Sequence, residues 1–175
     1  MALTNDFIKL RLTEKFGEAL SAFEEPYGLL TFTVSKELNL KILQFLFDDT
    51  ELQFQFLTDL TAVHYPDNKG AELAVVYHLN SLKNNVKLRF KVYTDIKDPK
   101  VYTATSLYAS ANWMERETYD FFGVEFVGHP NLKRILNVDE MDYFPLRKEY
   151  PLEDQTRIDK DDDMFGRGGA TVSGY

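Results

Sequence analysis

Glu115, Arg116, Glu117, Asp120 and His129 fall within fifteen residues of one another, in the stretch WMERETYDFFGVEFVGHP from Trp113 to Pro130. These are the side chains of general acid–base chemistry, and their spacing decides how much of it they can do. On a helix, Glu115 and Glu117 project to nearly opposite sides, so they cannot share a proton. Glu117 and Asp120, three apart, can meet. With Arg116 beside them the spacing predicts an ion-pair network ahead of acid–base work. A single histidine followed by Pro130 predicts a turn residue hydrogen-bonded to backbone. A free-standing hydrolase or isomerase built on Glu117, Asp120 and His129 is the enzymatic alternative, although the sequence offers it neither a nucleophile nor a metal set.

The element that must carry these groups is a helix over residues 107–122. At about 100° per residue, Leu107, Ala111, Met114, Thr118, Phe121 and Phe122 form one core-facing stripe. Glu115 and Glu117 flank that stripe on opposite edges, and Arg116 and Asp120 lie on the far side with Trp113. Aromatic residues outside the stripe, Trp113 and Tyr119, predict a second buried face. Gly123 is the natural stop, because glycine takes the left-handed backbone at no steric cost.

The same residues resemble a known family. Glu115, Arg116, Glu117, Asp120, Phe121, Phe122 and Gly123, then His129, Pro130, Leu132 and Arg134, then Pro145 to Pro151 (PLRKEYP, with Leu146, Arg147 and Tyr150), are similar to the 30-kDa-subunit family, the C subunits, of proton-pumping NADH:quinone oxidoreductase, respiratory complex I. LTDLTAVHYPDN at 57–68 and VVYHLNSLKNNVKLRFKV at 75–92 extend the likeness, although many members carry Asp where this chain has His64. The resemblance implies a structural or assembly subunit of the hydrophilic arm at the cytoplasmic face of the bacterial inner membrane. It implies FMN and Fe–S clusters in partner subunits and none in this chain. Its neighbours would be the quinone-pocket subunit and the subunit with the terminal cluster, and it would touch the membrane only through the complex. The equivalent subunit of a membrane-bound hydrogenase or another quinone reductase is the alternative within the family.

Composition narrows the function classes independently. A chain of 175 residues suits one domain with an arm. A net charge of −8 argues against nucleic acid, whose recognition starts from a basic patch. There is no cysteine, so disulfides, thiolate-held clusters and cysteine zinc sites are excluded. No apolar run approaches the roughly 20 residues of a membrane span. The start MALTNDFIKLRL lacks a basic segment followed by an apolar core, so no signal peptide is expected. In the run Asp159 to Asp163 the alternate acids suggest a calcium loop, but Met164 and Ala170 stand where glycine and glutamate belong.

The pattern along the chain predicts an α+β fold: N-terminal helices packed on a mixed, mostly antiparallel sheet, followed by the motif-bearing helix and an extended C-terminal arm. Helices are expected at 4–20 and from Ser35 to Phe47. Strands are expected at 29–34, 53–65 (with a bulge near Thr58-Asp59), 72–80, 86–93 and 124–127, with a linker at 95–106. Lys87, Arg89 and Lys91 predict a wet basic face on the 86–93 strand. The division is a globular part, 1–128, and an arm, 129–175, docking on partner subunits.

Overall fold

Strand β5 (Val86–Thr94) is the axis of the fold in the computed structural model, which describes residues 3–150. Leu88, Phe90 and Val92 point to one side and are fully buried, whereas Lys87, Arg89 and Lys91 point to the other, as the alternation demands. Strand β2 (Leu30–Val34) pairs with β5 in parallel and β4 (Leu73–Ser81) pairs with it antiparallel. With β1 (Leu20–Glu24) and β3 (Phe56–His64) at the edges, the sheet runs β1-β2-β5-β4-β3. It is mixed and mostly antiparallel, the predicted α+β class.

A parallel neighbour needs a crossover. Helix α2 (Asn39–Asp48) and the β3–β4 hairpin supply it between β2 and β5. Helix α1 (Asn5–Phe16) is capped by Thr4, whose hydroxyl accepts from the Phe7 N–H at 3.3 Å. Its residues Ile8 and Leu12 share one apolar core with Ile42, Leu43 and Leu46 of α2 and with the inward residues of the sheet. Arg11 ties α1 to the end of α2 by a 2.7 Å ion pair with Asp49. Within the core, Tyr77 stacks on Phe90 at 4.6 Å and Phe90 on Phe32 at 5.8 Å, binding three strands together. Burying each such side chain contributes on the order of 2–3 kcal/mol.

Several boundaries differ from expectation for local reasons. The first helix ends at Phe16 because Gly17 turns with φ +51°, and Leu20–Glu24 forms the short, bulged edge strand β1. That strand exposes most of its residues, so no alternation marks it. Ser35 makes no side-chain cap, and a 3-10 turn, Lys36–Leu38, precedes α2. The bulge expected at Thr58-Asp59 is present as a register shift between Leu57 and Asp59. The expected linker holds β6 (Lys100–Tyr102), which pairs in parallel with β7 (Glu125–Val127). Three residues are too few to show a period.

Candidate functional site

Helix α3 (Ala111–Phe122) starts later than predicted, because 104–108 folds into a hydrogen-bonded turn that leaves Leu107 outside the helix. It covers the edge strand β3, with the Thr118 hydroxyl 3.4 Å from the Leu60 carbonyl, and closes an edge that would otherwise be open to another strand. Ala111, Thr118 and Phe122 of the expected stripe are buried, while Met114 and Phe121 are half-buried.

Glu115 does not merely flank the stripe. It is fully buried, and its carboxylate accepts from the Thr103 hydroxyl at 2.5 Å and the Ala104 N–H at 2.6 Å. Burial pushes this carboxyl up to about 7, against the two hydrogen bonds that favour its charge.

Asp120 is also fully buried, on a second covered face of α3 that takes in half-buried Tyr119 but not Trp113, which is 62% exposed with only Arg116 over its ring. What covers Asp120 is residues 131–150, a strap without helix or strand that turns back over α3. One carboxylate oxygen accepts from three successive backbone N–H groups, Ile135 at 3.0 Å, Leu136 at 2.8 Å and Asn137 at 3.0 Å. The other accepts from the Asn137 amide at 3.0 Å and from Arg134 at 2.9 Å. Burial opposes ionisation here too. The Asn137 and Leu136 N–H groups, the Asn137 amide and Arg134 outweigh it and hold the carboxyl well below the usual range. Arg134 itself donates further, to the Asp120, Met141 and Tyr143 carbonyls, so the guanidinium braces the strap as well as the acid.

The expected network of Glu117, Asp120 and Arg116 is therefore not formed. Glu117 is exposed and makes no ion pair among the described residues. Arg116 donates to the Lys133 and Arg134 carbonyls at 3.2 and 3.4 Å and lies 4.9 Å over the Trp113 ring. The physical reason is that Asp120 satisfies itself with five donors from the strap before a neighbour on its own helix can reach it.

Gly123 ends α3 with φ +76°, and the ring of Phe144 closes over it. A Cβ at Gly123 would sit 2.5 Å from that ring, so the glycine is required by contact as well as by conformation. Phe144 is held between the guanidinium groups of Arg134 at 5.0 Å and Arg147 at 4.6 Å. Arg147 donates to the Phe122 carbonyl and the Leu146 N–H to the Phe121 carbonyl, so the exposed end of the helix is capped by the strap. Pro145 is half-buried beside them, and Tyr143 and Tyr150 pack on each other at 4.8 Å. Pro151 and the run Asp159 to Asp163 lie outside the described residues.

His129 accepts the Asn131 N–H at Nδ1, 3.0 Å, which leaves Nε2 to donate to the Asn112 carbonyl at 3.2 Å. Both ring nitrogens serve backbone around the Pro130 turn. His64, buried at the end of β3, accepts the Lys148 N–H at 3.0 Å and fastens the strap to the sheet. His78 stands apart on the open sheet face, 3.6 Å from Asp59. Sequence reasoning missed Thr103 and Asn137. The Thr103-x-Thr105 pair before the helix was the one local signal, and it reads equally as a polar linker.

Acids, arginines and histidine thus converge on the chain's own backbone, and among the described residues no group of His, Asp and Glu could hold a metal ion. The fold and this site define an α+β module whose most elaborate polar cluster braces a strap against a helix. The chain belongs to the family described as respiratory-chain NADH dehydrogenase, 30 Kd subunit, which it matches over residues 32–156. It is 44% identical over 153 residues to the NADH-quinone oxidoreductase C subunit of Citrifermentans bemidjiense, covering 87% of this chain and 93% of that one. It is 39% identical to the protein of the same name from Geobacter sulfurreducens, again over 87% and 93%. The match to the Streptomyces coelicolor protein of that name, 44% identical, takes in 71% of this chain but only 50% of that longer protein. Among solved structures, the trypsin-resistant fragment of Nqo5 aligns with TM-score 0.61 at 31% identity, covering 71% of this chain and 98% of the fragment. A chain of an archaeal membrane-bound sulfane sulfur reductase aligns with TM-score 0.70 at 23% identity over 84% and 85%, a likeness of fold alone.

Proposed function

We propose that the chain is a structural subunit of the peripheral, quinone-proximal arm of NADH:quinone oxidoreductase, the complex that passes electrons from NADH through FMN and Fe–S clusters to quinone with proton translocation. The observation that carries this reading is the commitment of Asp120, Arg134 and His129 to backbone. Asp120 is saturated and held ionised, His129 has both nitrogens engaged, and Glu117 faces solvent away from them. Such a set positions chain and cannot turn over a substrate as a free-standing acid–base enzyme. FMN and the clusters belong to partner subunits, a division supported by the absence of cysteine here.

In this reading residues 129–175 are the part that docks on partners. Within the described residues, the strap's inner side grips α3 while Leu136, Val138, Tyr143, Leu146 and Tyr150 remain exposed on its outer side. Aromatic and aliphatic groups on a rigid support suit burial against the quinone-pocket subunit and the terminal-cluster subunit. Among the described residues no helix is long and apolar enough to cross a membrane, which fits a subunit that reaches the cytoplasmic face through its partners.

The test is a mild-detergent pull-down of the tagged chain from its native membranes with mass spectrometry. Flavin-bearing, cluster-bearing and membrane subunits are expected with the full chain and are lost on truncation at Pro145. Recovery of the chain alone would overturn the reading.

A further inference from the structure

Among the described residues, Glu115 is the one fully buried carboxylate that the bracing of the strap does not use, and it lies where α3 meets the 103–105 turn leading out of β6. Its environment has an unusual symmetry. One oxygen accepts the Ala104 N–H, a bond that survives whether or not the acid is ionised. The other meets the Thr103 hydroxyl, which in turn lies 2.9 Å from the Thr105 hydroxyl, and either of those two can donate. When Glu115 is ionised, Thr103 donates to it and Thr105 to Thr103. When Glu115 is protonated, its O–H donates to Thr103 and Thr103 donates to Thr105. The two hydroxyls only rotate about their C–O bonds, and no hydrogen bond is lost in either state. Thr105 is partly exposed, so the chain of hydroxyls runs from the buried acid towards water.

We propose that Glu115, Thr103 and Thr105 form a reversible proton-binding site at the junction of α3 and β6. One proton from solvent is taken up on the carboxylate, and the hydroxyl chain reverses direction to accommodate it.

The surroundings leave the acid to titrate on its own. Among the described residues no cation pairs with it. Arg116 turns to the strap carbonyls, Lys100 of β6 pairs with Asp98, and Arg89 of β5 donates to Thr31 on the open sheet face. From β3, His64 is taken by the Lys148 N–H and Asp59 lies beside His78. Glu117 of α3 and Glu125 of β7 are exposed, and Asp120 is occupied by Arg134. Tyr77 of β4 is the titratable group that feels Glu115, and burial together with that acid drives its phenol far up, so it stays neutral. Burial with no counter-charge is the reason the Glu115 carboxyl lies at about 7. The folded value exceeds the unfolded one. The stabilisation from proton uptake is therefore complete below about pH 4.5 and is lost as pH rises through about 7.

The experiment is a carboxyl carbon-13 NMR titration of the glutamate-labelled full chain from pH 4 to 8.5. One glutamate is expected to titrate with a midpoint of about 7, and the Glu115→Gln chain lacks that resonance. Thr103→Val removes a hydroxyl that bonds both forms but holds the charged form more strongly, so it moves the same midpoint upward and identifies the resonance even where Glu115→Gln does not fold. The proposal is overturned if every glutamate titrates in the ordinary range below about pH 5.5. It is equally overturned if the high midpoint is unmoved by Thr103→Val.

Discussion

Asp120 and Glu115 sit five positions apart on α3 and are both fully buried, yet their surroundings treat the charge in opposite ways. Burial penalises both. Five donors, one of them cationic, reverse the penalty for Asp120, while two neutral donors fail to do so for Glu115. Removing Asp120 as Asp120→Ala strands Arg134 and three backbone N–H groups, and should cost about 3–5 kcal/mol in urea unfolding at pH 7. Because the folded value of Asp120 lies below the unfolded one, its contribution is present above about pH 4 and disappears as pH falls. Asp120→Asn should accordingly flatten the acid side of the stability–pH curve, which a pH series of urea melts would show. Glu117→Gln, on an exposed side chain, should change stability by no more than about 0.5 kcal/mol. A larger loss by the same measurement would mean that Glu117 has a partner in the free chain.

α3 is held by elements that act at its two ends and on its two faces. Its hydrophobic stripe and its glycine stop follow from periodicity, and Tyr119 pointed to a second covered face, whereas Trp113, which pointed the same way, is exposed. The identity of the second cover does not follow from periodicity. Gly123→Ala should test the strap as a unit, since the new methyl meets the Phe144 ring at 2.5 Å while the backbone stays in a left-handed turn. The conformational part alone costs about 1 kcal/mol. Displacement of Phe144 should also release the Arg134 and Arg147 stacking and speed amide hydrogen exchange at Ile135, Leu136 and Asn137 while leaving the β4–β5 ladder protected. Exchange that rises equally in the sheet would show that strap and sheet open together.

At the scale of the whole molecule, the five-stranded sheet with α1 and α2 on one side forms a core whose buried members all lie outside the strap, with half-buried Leu132 of the strap packed against it. Deleting residues 131–175 should keep the sheet's far-UV circular dichroism, uncover Asp120 with Tyr119 and Phe121, and raise binding of a hydrophobic dye. A chain that loses its circular dichroism as well would place the strap in the folding core. Strands β2 to β5 and the class of fold were legible in the sequence because a half-buried strand must alternate and a buried helix must repeat, whatever lies opposite. Strands β1 and β6 were not, being short and mostly exposed. The motif around Glu115 to Gly123 was likewise legible as a helix with carboxylates and a stop. Only the tertiary structure decided that Glu115 takes Thr103 and Ala104, that Asp120 takes the strap rather than Arg116, and that His64 reaches Lys148 across 84 positions. The reason is chemical. Most of those partners are backbone N–H groups, which every residue but proline carries, so a carboxylate or imidazole that docks on them imposes no residue type that a sequence could display.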